Sequence, residues 1–132
     1  MVFADYIGTP WVAGAQGPDQ FDCMGFFRHV QGLHFGIDVP SIVAPNVDDS
    51  ASLVALFGKH PERKRWAKVA APSHGCAVII RRPLHIGTWL NLDGGGVLHC
   101  VRGIGVVFTP DTTWQCSGFG EKEFFKLAEK AA

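Results

Sequence analysis

Four short apolar runs in the second half of the chain constrain the fold more than any other feature. They read CAVIIRR, LHIGTWLNL, GVLHCVR and GVVFTP, and Gly or Pro separates each from the next. Runs of this length that are rich in β-branched residues predict β-strands, and the segment LDGGG between the second and third runs predicts a hairpin turn. From Gly75 onwards we therefore expect a meander of antiparallel strands.

Helical patterns lie on both sides of these runs. The first begins at Cys23, after a loop rich in Gly, Pro and Asp, and is broken by Gly36 and Pro40. Its apolar positions share one helical face, and they are Phe26, Phe27, Val30 and Leu33. The last stretch, EKEFFKLAEKAA, predicts a short amphipathic helix that closes the fold. Its inward-facing residues are Phe124, Leu127, Ala128 and Ala131.

The middle of the chain gives a weaker pattern. Residues 48–50 (DDS) supply capping chemistry for a second helix, whose apolar positions are Leu53, Val54, Leu56 and Phe57. From residue 58 to residue 72 the pattern is ambiguous, with weak helical spacing through Trp66 and Val69. The basic run KHPERKRWAK at residues 59–68 is diluted by Pro, Glu and Trp, and we interpret it as a solvated helix face or a loop.

The order of these elements defines a fold class. Helices come first, a strand meander follows, and a helix closes the chain, which indicates an α+β fold with an antiparallel sheet. The length of 132 residues and the apolar fraction of 47% fit one compact domain over residues 1–132. We find no repeat, low-complexity tract or interdomain linker.

Charge and hydropathy exclude several function classes. The formal net charge is zero, which is not typical of a nucleic-acid-binding protein or of a polybasic membrane anchor. The N-terminus MVFADYIGTPW lacks the basic and apolar regions of a secretory signal, and no apolar run reaches the length of a membrane span. We therefore expect synthesis in the cytoplasm without a signal peptide.

The four cysteines, Cys23, Cys76, Cys100 and Cys116, are far apart in the sequence. Because no CxxC pair occurs, a zinc ribbon or a thioredoxin-type motif is not indicated. Without a secretory context we expect reduced thiols.

Cys23 stands where the Gly-rich loop meets the first helix. A sulfur in the first turn of a helix lies near unpaired N–H groups and the positive end of the helix dipole, which favour the nucleophilic thiolate. Helical spacing alone favours a buried structural thiol, because Cys23 shares a face with Phe27 and Val30. The preceding Gly-rich loop and Gly25, which lets another backbone approach closely, favour a reactive cysteine instead.

Two histidines in the strand region are candidate partners of this thiol, since a thiolate nucleophile needs a base and the base needs a group that orients it. His85 opens the run HIGTWL and His99 closes GVLH. Their separation is even and a turn lies between them, so both can stand on one face of a hairpin. We expect that face to be turned towards Cys23.

At this point the sequence resembles a known family, the NlpC-type cell-wall cysteine peptidases, which are small papain-like enzymes. The segment GTPWVAGAQGPDQFDCMGFFRHV resembles one signature of the family, and LHIGTWLNLDGGGVLHC resembles the other, in the same order. The resemblance implies that Cys23 is the nucleophile, His85 the general base and His99 the residue that orients His85. It also implies a papain-like arrangement in which the helix bearing Cys23 packs on the sheet bearing the histidines, with no cofactor and no metal.

The chain departs from the family pattern at several positions. Trp11 replaces a tyrosine that helps to position substrate, and Met24 replaces a residue that is often serine. The resemblance implies a substrate-binding role for Trp11, Met24 and Asp22, and Asp22 is also a natural N-cap of the helix. The segment SHGCAVII, with His74 and Cys76, stands where the family often has Pro-Gly-Asp before its first strand.

The resemblance implies hydrolysis of peptide bonds in peptidoglycan stem peptides, at the bacterial cell wall or in the periplasm after delivery. Phage tail or secretion-machine proteins are the delivery partners that we expect, with no nucleic-acid partner. One alternative is a papain-like amidase, deamidase or acyltransferase that acts on another substrate. A second is a non-catalytic module, either structural or binding a metal through Cys23, His85 and His99.

Overall fold

A computed structural model describes residues 2–39, 65–81 and 84–127. Within these ranges one α-helix packs on a six-stranded antiparallel sheet, so the predicted α+β class is confirmed. The elements are α1 (Cys23–Phe35), β1 (Trp66–Val69), β2 (Ala77–Ile80), β3 (His85–Leu90), β4 (Gly96–Val101), β5 (Gly105–Pro110) and β6 (Lys122–Leu127). In the described part of the chain, 3₁₀ helices cover Phe3–Tyr6 and Asp111–Cys116.

The helix α1 begins at Cys23, as predicted. Gly36 ends it in the left-handed conformation, with φ of 67°, which glycine adopts without steric cost. Of the four apolar residues predicted to face the core, three are buried. The prediction is wrong for Leu33, which is 60% exposed. The fully buried Gln31 extends the inner face instead. Its side-chain amide donates to the carbonyl oxygen of Gly75 and to Thr88 Oγ1, so a polar residue is tolerated there.

The predicted meander forms β2 to β5, each strand pairing with the next one in the sequence. The hairpin turn between β3 and β4 is also confirmed. Asp93, Gly94 and Gly95 all have positive φ angles of 51°, 83° and 98°, the conformation for which Asp-Gly and Gly-Gly sequences are selected in tight turns.

The closing segment is a strand, and the predicted helix is wrong. In the sheet order β1-β6-β2-β3-β4-β5, β6 lies between β1 and β2 and pairs with both. Phe125 packs with Trp66 on one side of the sheet, and Phe124 contacts Trp89 on the other, with ring centroids 5.5 Å apart. The adjacent residues Phe124 and Phe125 therefore pack on opposite faces of the sheet, as successive residues of a strand do. Ala128 and Ala131 lie outside the described residues.

The weak helical spacing through Trp66 and Val69 does not correspond to a helix, because these are the first and last residues of strand β1. Lys68 of β1 has an exposed side chain and pairs with Glu123 of β6 at 3.0 Å. The helix predicted from residues 48–50, with Leu53, Val54, Leu56 and Phe57, lies outside the described residues, as does most of the basic run.

The two faces of the sheet are covered by different elements. On the face that we call the helix face, α1 packs against residues that include Ile86 and Leu98. On the opposite face, which we call the far face, the 3₁₀ helix Asp111–Cys116 places Trp114 against Ile80 and Val97. Among the helices in the described ranges, none has the length and apolar character needed to cross a membrane.

Candidate functional site

The loop before α1 and the first turn of the helix are held together by Asp22. One carboxylate oxygen accepts from the backbone N–H of Gly25 at 2.6 Å, and the other accepts from Gly14 N–H at 3.1 Å. Asp22 is thus the N-cap of α1 and also orders the loop, as its position predicted. Its side chain is buried, which raises the pKa of the carboxyl group, while the two backbone donors act in the opposite direction.

Gly25 permits the close backbone approach that its position predicted. A Cβ atom at this position would overlap the carbonyl oxygen of Ala15. The same loop residue accepts a hydrogen bond from the N–H of Asp22 at 2.9 Å. The loop therefore packs directly over the first turn of α1, against the backbone next to Cys23.

Cys23 is buried, with 1% of its surface exposed. It belongs to an apolar cluster on the helix face that includes Met24, Phe27, Ala77 and Ile86. Because Met24 is buried in the same cluster, neither side chain is presented to solvent in this structure. Their predicted contacts with substrate stay predictions.

Trp11 lies on the loop side of the helix start. It pairs through an isolated bridge with Phe21, and the guanidinium of Arg102 lies 5.2 Å from its ring centroid. Its indole N–H is buried and has no hydrogen-bond partner among the described residues. A donor without a partner is a position at which a ligand acceptor would gain a hydrogen bond.

His85 and His99 meet as their spacing predicted. His85 Nε2 lies 2.9 Å from His99 Nδ1 across the hairpin of β3 and β4. His99 Nε2 in turn lies 2.9 Å from the hydroxyl oxygen of Thr109 on β5. The three side chains therefore form one hydrogen-bonded chain across three adjacent strands.

Aromatic rings cover the histidine pair. Phe119 stacks on His85, with ring centroids 5.8 Å apart and planes 12° from parallel, and Trp114 lies against His99. Burial lowers the pKa of His85 to about 4. Burial, and then the neighbouring His85, hold the pKa of His99 well below its usual range. Both imidazoles are therefore neutral at pH 7.

The histidine pair and Cys23 lie on opposite faces of the sheet. Successive side chains of a strand point to opposite faces, and Ile86, the neighbour of His85, packs in the cluster of Cys23. Likewise Cys100, the neighbour of His99, lies on the helix face and is buried. The expectation that the histidines face Cys23 is therefore wrong in this structure. The structure brings His85 and His99 together, and Cys23 lies in the cluster on the other face of the sheet.

The physical reason is that both faces of β3 and β4 are apolar. Ile86 and Leu98 accept the helix on one side, and Trp89 and Val97 accept Trp114 on the other. Alternation of apolar and polar residues fixes which side chains share a face. It does not say which of two apolar faces a helix will cover.

Sequence reasoning missed Thr109 and the aromatic cover. In the sheet register His99 pairs with Val107 and Thr109 pairs with Val97, so Thr109 is a diagonal neighbour of His99 on the same face. Pairing the run GVVFTP with GVLHCVR as antiparallel strands would have placed Thr109 next to His99. Trp114 and Phe119 follow the meander in a 3₁₀ helix and an irregular segment, for which the sequence offers no periodic pattern.

Other candidate residues lie outside this site. His29 is half-buried, and its Nε2 lies 3.0 Å from the hydroxyl of Tyr6. His74 Nδ1 accepts from the backbone N–H of Asn91 at 3.0 Å. Cys76 is buried on the far face, where burial raises the pKa of its thiol. Cys116 is exposed.

Metal ligation by Cys23, His85 and His99 together does not fit this arrangement, because the sheet separates the thiol from the imidazoles. Across the described ranges there is no group of three or more His, Cys, Asp or Glu side chains placed to hold a metal ion.

Comparison with known proteins gives one partial likeness. No protein-family model matches the chain. A segment of 69 residues, which is 52% of this chain, is 30% identical to Protein P54 of Enterococcus faecium. The matched segment is 13% of the length of that relative.

Proposed function

We propose that the chain is a cysteine peptidase of the NlpC type that hydrolyses peptide bonds in peptidoglycan stem peptides. In this proposal Cys23 is the nucleophile, His85 is the general base and His99 orients His85. The observation that carries the proposal is the direct contact of 2.9 Å between the two buried imidazoles, because the resemblance had assigned these two histidines to one site.

The start of α1 supports the same proposal. Cys23 stands at the first helical position, Asp22 caps the helix, and Gly25 admits the loop backbone. The backbone N–H of Cys23 is then a natural donor to the oxyanion of a tetrahedral intermediate. A groove of about 420 Å³ runs beside this turn, where Gly25, Arg28 and Val39 are among its lining residues.

The proposed reaction needs a proton transfer from Cys23 to His85. The thiolate would then attack the scissile carbonyl, and the imidazolium would protonate the leaving amine. Since Cys23 and His85 lie on opposite faces of the sheet here, the proposal requires a second arrangement of the chain in which the two side chains meet. Only the fraction of molecules in that second arrangement would be active, and apparent activity falls in proportion to this fraction. We therefore expect low turnover. Delivery to the cell wall by phage tail or secretion-machine proteins belongs to the same proposal.

A second candidate function is favoured by this separation. A non-catalytic domain would account for the burial of Cys23, His85 and His99, whose exposed fractions are 1%, 6% and 0%, without any rearrangement. In that case the thiol and the imidazoles have structural roles alone.

Digestion of purified peptidoglycan, followed by mass spectrometry of the released fragments, tests both candidates. The peptidase proposal predicts peptide fragments with new termini, lost in Cys23→Ala and His85→Ala. Cys116→Ala removes an exposed thiol and is the matched control that should keep activity. Release of ammonia or an acyl exchange product would indicate the amidase or transferase alternative. If the wild type releases nothing while it is folded, the non-catalytic candidate stands.

A further inference from the structure

Thr109 extends the histidine pair by one hydrogen-bonding group. Its hydroxyl oxygen lies 2.9 Å from His99 Nε2, and His99 Nδ1 lies 2.9 Å from His85 Nε2. In the antiparallel register of β4 and β5, His99 pairs with Val107, and Thr109 lies two residues further along β5 on the same face. The contact of His99 with Thr109 is therefore set by the pairing of β4 with β5.

The number of protons restricts how this chain can be hydrogen-bonded. A neutral imidazole has one N–H and one acceptor nitrogen, and burial keeps both histidines neutral at pH 7. Two arrangements satisfy both contacts. In the first, His85 Nε2–H donates to His99 Nδ1 and His99 Nε2–H donates to Thr109. In the second, Thr109 donates to His99 Nε2 and His99 Nδ1–H donates to His85 Nε2.

The two arrangements differ in the tautomers that they require. The first needs the Nε2–H form of both imidazoles, which is the intrinsically favoured form of a histidine side chain. The second needs the disfavoured Nδ1–H form twice. Thr109 is only half-buried, so its hydroxyl can accept from His99 while its own proton is donated to solvent.

We infer that Thr109 is a positioning residue that accepts from His99 Nε2–H and thereby holds His85 in the Nε2–H tautomer, with an unprotonated Nδ1. Thr109 acts on His85 through His99. The order of donation along the chain is from His85 to His99 to Thr109.

This tautomer leaves His85 Nδ1 as the nitrogen that can accept a proton. Its role in turnover rests on the proposed function, whereas the tautomer itself does not. If Cys23 transfers its proton to Nδ1, His85 becomes an imidazolium whose Nε2–H donates more strongly to His99. In this acylation step the proton comes from the thiol and passes to the leaving amine, and water then hydrolyses the thioester and restores the thiol.

Nitrogen-15 NMR of the imidazoles tests the inference. In the folded wild type at pH 7, the long-range proton–nitrogen pattern should show an unprotonated Nδ1 and a protonated Nε2 for both His85 and His99. Thr109→Val keeps the side-chain shape and the β-propensity but removes the acceptor. We expect it to increase the Nδ1–H population of both histidines, and we expect Thr109→Ser to restore the wild-type pattern. Thr113→Val is the matched control, because it removes a hydroxyl that donates to the carbonyl of Pro110 instead.

Two results would overturn the inference. One is a wild-type spectrum in which His85 carries its proton on Nδ1, which needs no variant and so does not depend on the folding of Thr109→Val. The other is a folded Thr109→Val protein with the tautomers of the wild type. If the tautomers are as expected while peptidoglycan is not cleaved, the role of Thr109 holds and the proposed function fails.

Discussion

His85 and Ile86 are adjacent in β3, yet they belong to opposite faces of the sheet. Ile86 packs in the apolar cluster that contains Cys23, and His85 stacks on the ring of Phe119. The candidate base, His85, and the apolar cluster around the candidate nucleophile, Cys23, are therefore on opposite sides of the same strand. The proposed catalysis depends on whether the chain can bring the two together.

The reactivity of the thiols reports on this arrangement. Cys116 is exposed, whereas Cys23, Cys76 and Cys100 are buried, and burial raises the pKa of Cys100 to about 12. Since alkylation requires both access and thiolate, iodoacetamide should modify Cys116 first and Cys100 last. Peptide mapping over time gives the order. Modification of Cys23 ahead of Cys116 would contradict the buried position of Cys23 and would indicate a well-populated open state.

The buried histidines predict a loss of stability in mild acid. The pKa of His85 falls from 6.5 to about 4 on folding because the ring is buried. Between these values the unfolded chain binds more protons than the folded one, so stability decreases as pH falls from 6.5 towards 4. The shift corresponds to on the order of 3 kcal/mol for this one group.

Urea unfolding at pH 7 and at pH 4.5 measures this effect. Carboxylates contribute to acid destabilisation as well, so the comparison is made with His85→Gln, which cannot titrate in this range. The variant should lose less stability than the wild type between the two pH values. Equal losses would mean that His85 does not titrate as a buried group.

The two histidines should differ in their effect on any turnover. General-base catalysis contributes typically ~10²–10⁴-fold, so His85→Ala should lower kcat/KM by at least that range. His99→Gln keeps an acceptor beside His85 and should retain measurable activity, whereas His99→Ala should lose more. Kinetics on one defined stem peptide, with folding verified by circular dichroism, provide the comparison. If His99→Ala is more damaging than His85→Ala, the base and the orienting residue have been interchanged.

Much of the fold was predictable from local pattern. The strand runs after Gly75 carry β-branched residues between turn signals, and the junction at Cys23 carries a cap and a helical stripe, so each element is specified by its own residues. The contact between His85 and His99 was predictable for the same reason, because an even separation across a short hairpin places both on one face.

The remainder depends on partners that are distant in the sequence. Phe124 and Leu127 fit a helical stripe as well as they fit a strand, and the pairing of β6 with β1 and β2 decides between them. The face that α1 covers was also not predictable, because Ile86 and Trp89 offer apolar side chains on both sides of β3. Local periodicity contains neither fact.

The two interior glycines of α1 give a matched test of the helix start. A methyl group at Gly25 would overlap the carbonyl oxygen of Ala15, whereas at Gly32 the nearest atom outside the helix, the carbonyl oxygen of Ile37, would be 3.8 Å away. Gly32→Ala should therefore stabilise the helix by up to about 1 kcal/mol through propensity alone. Gly25→Ala has the same propensity gain but must displace the loop backbone, and we expect it to lower the free energy of unfolding by about 1–3 kcal/mol. Urea denaturation of both variants measures the difference. Equal stability of the two variants would show that the loop does not pack over the first turn of α1, and the close approach next to Cys23 would then be lost as support for a catalytic site.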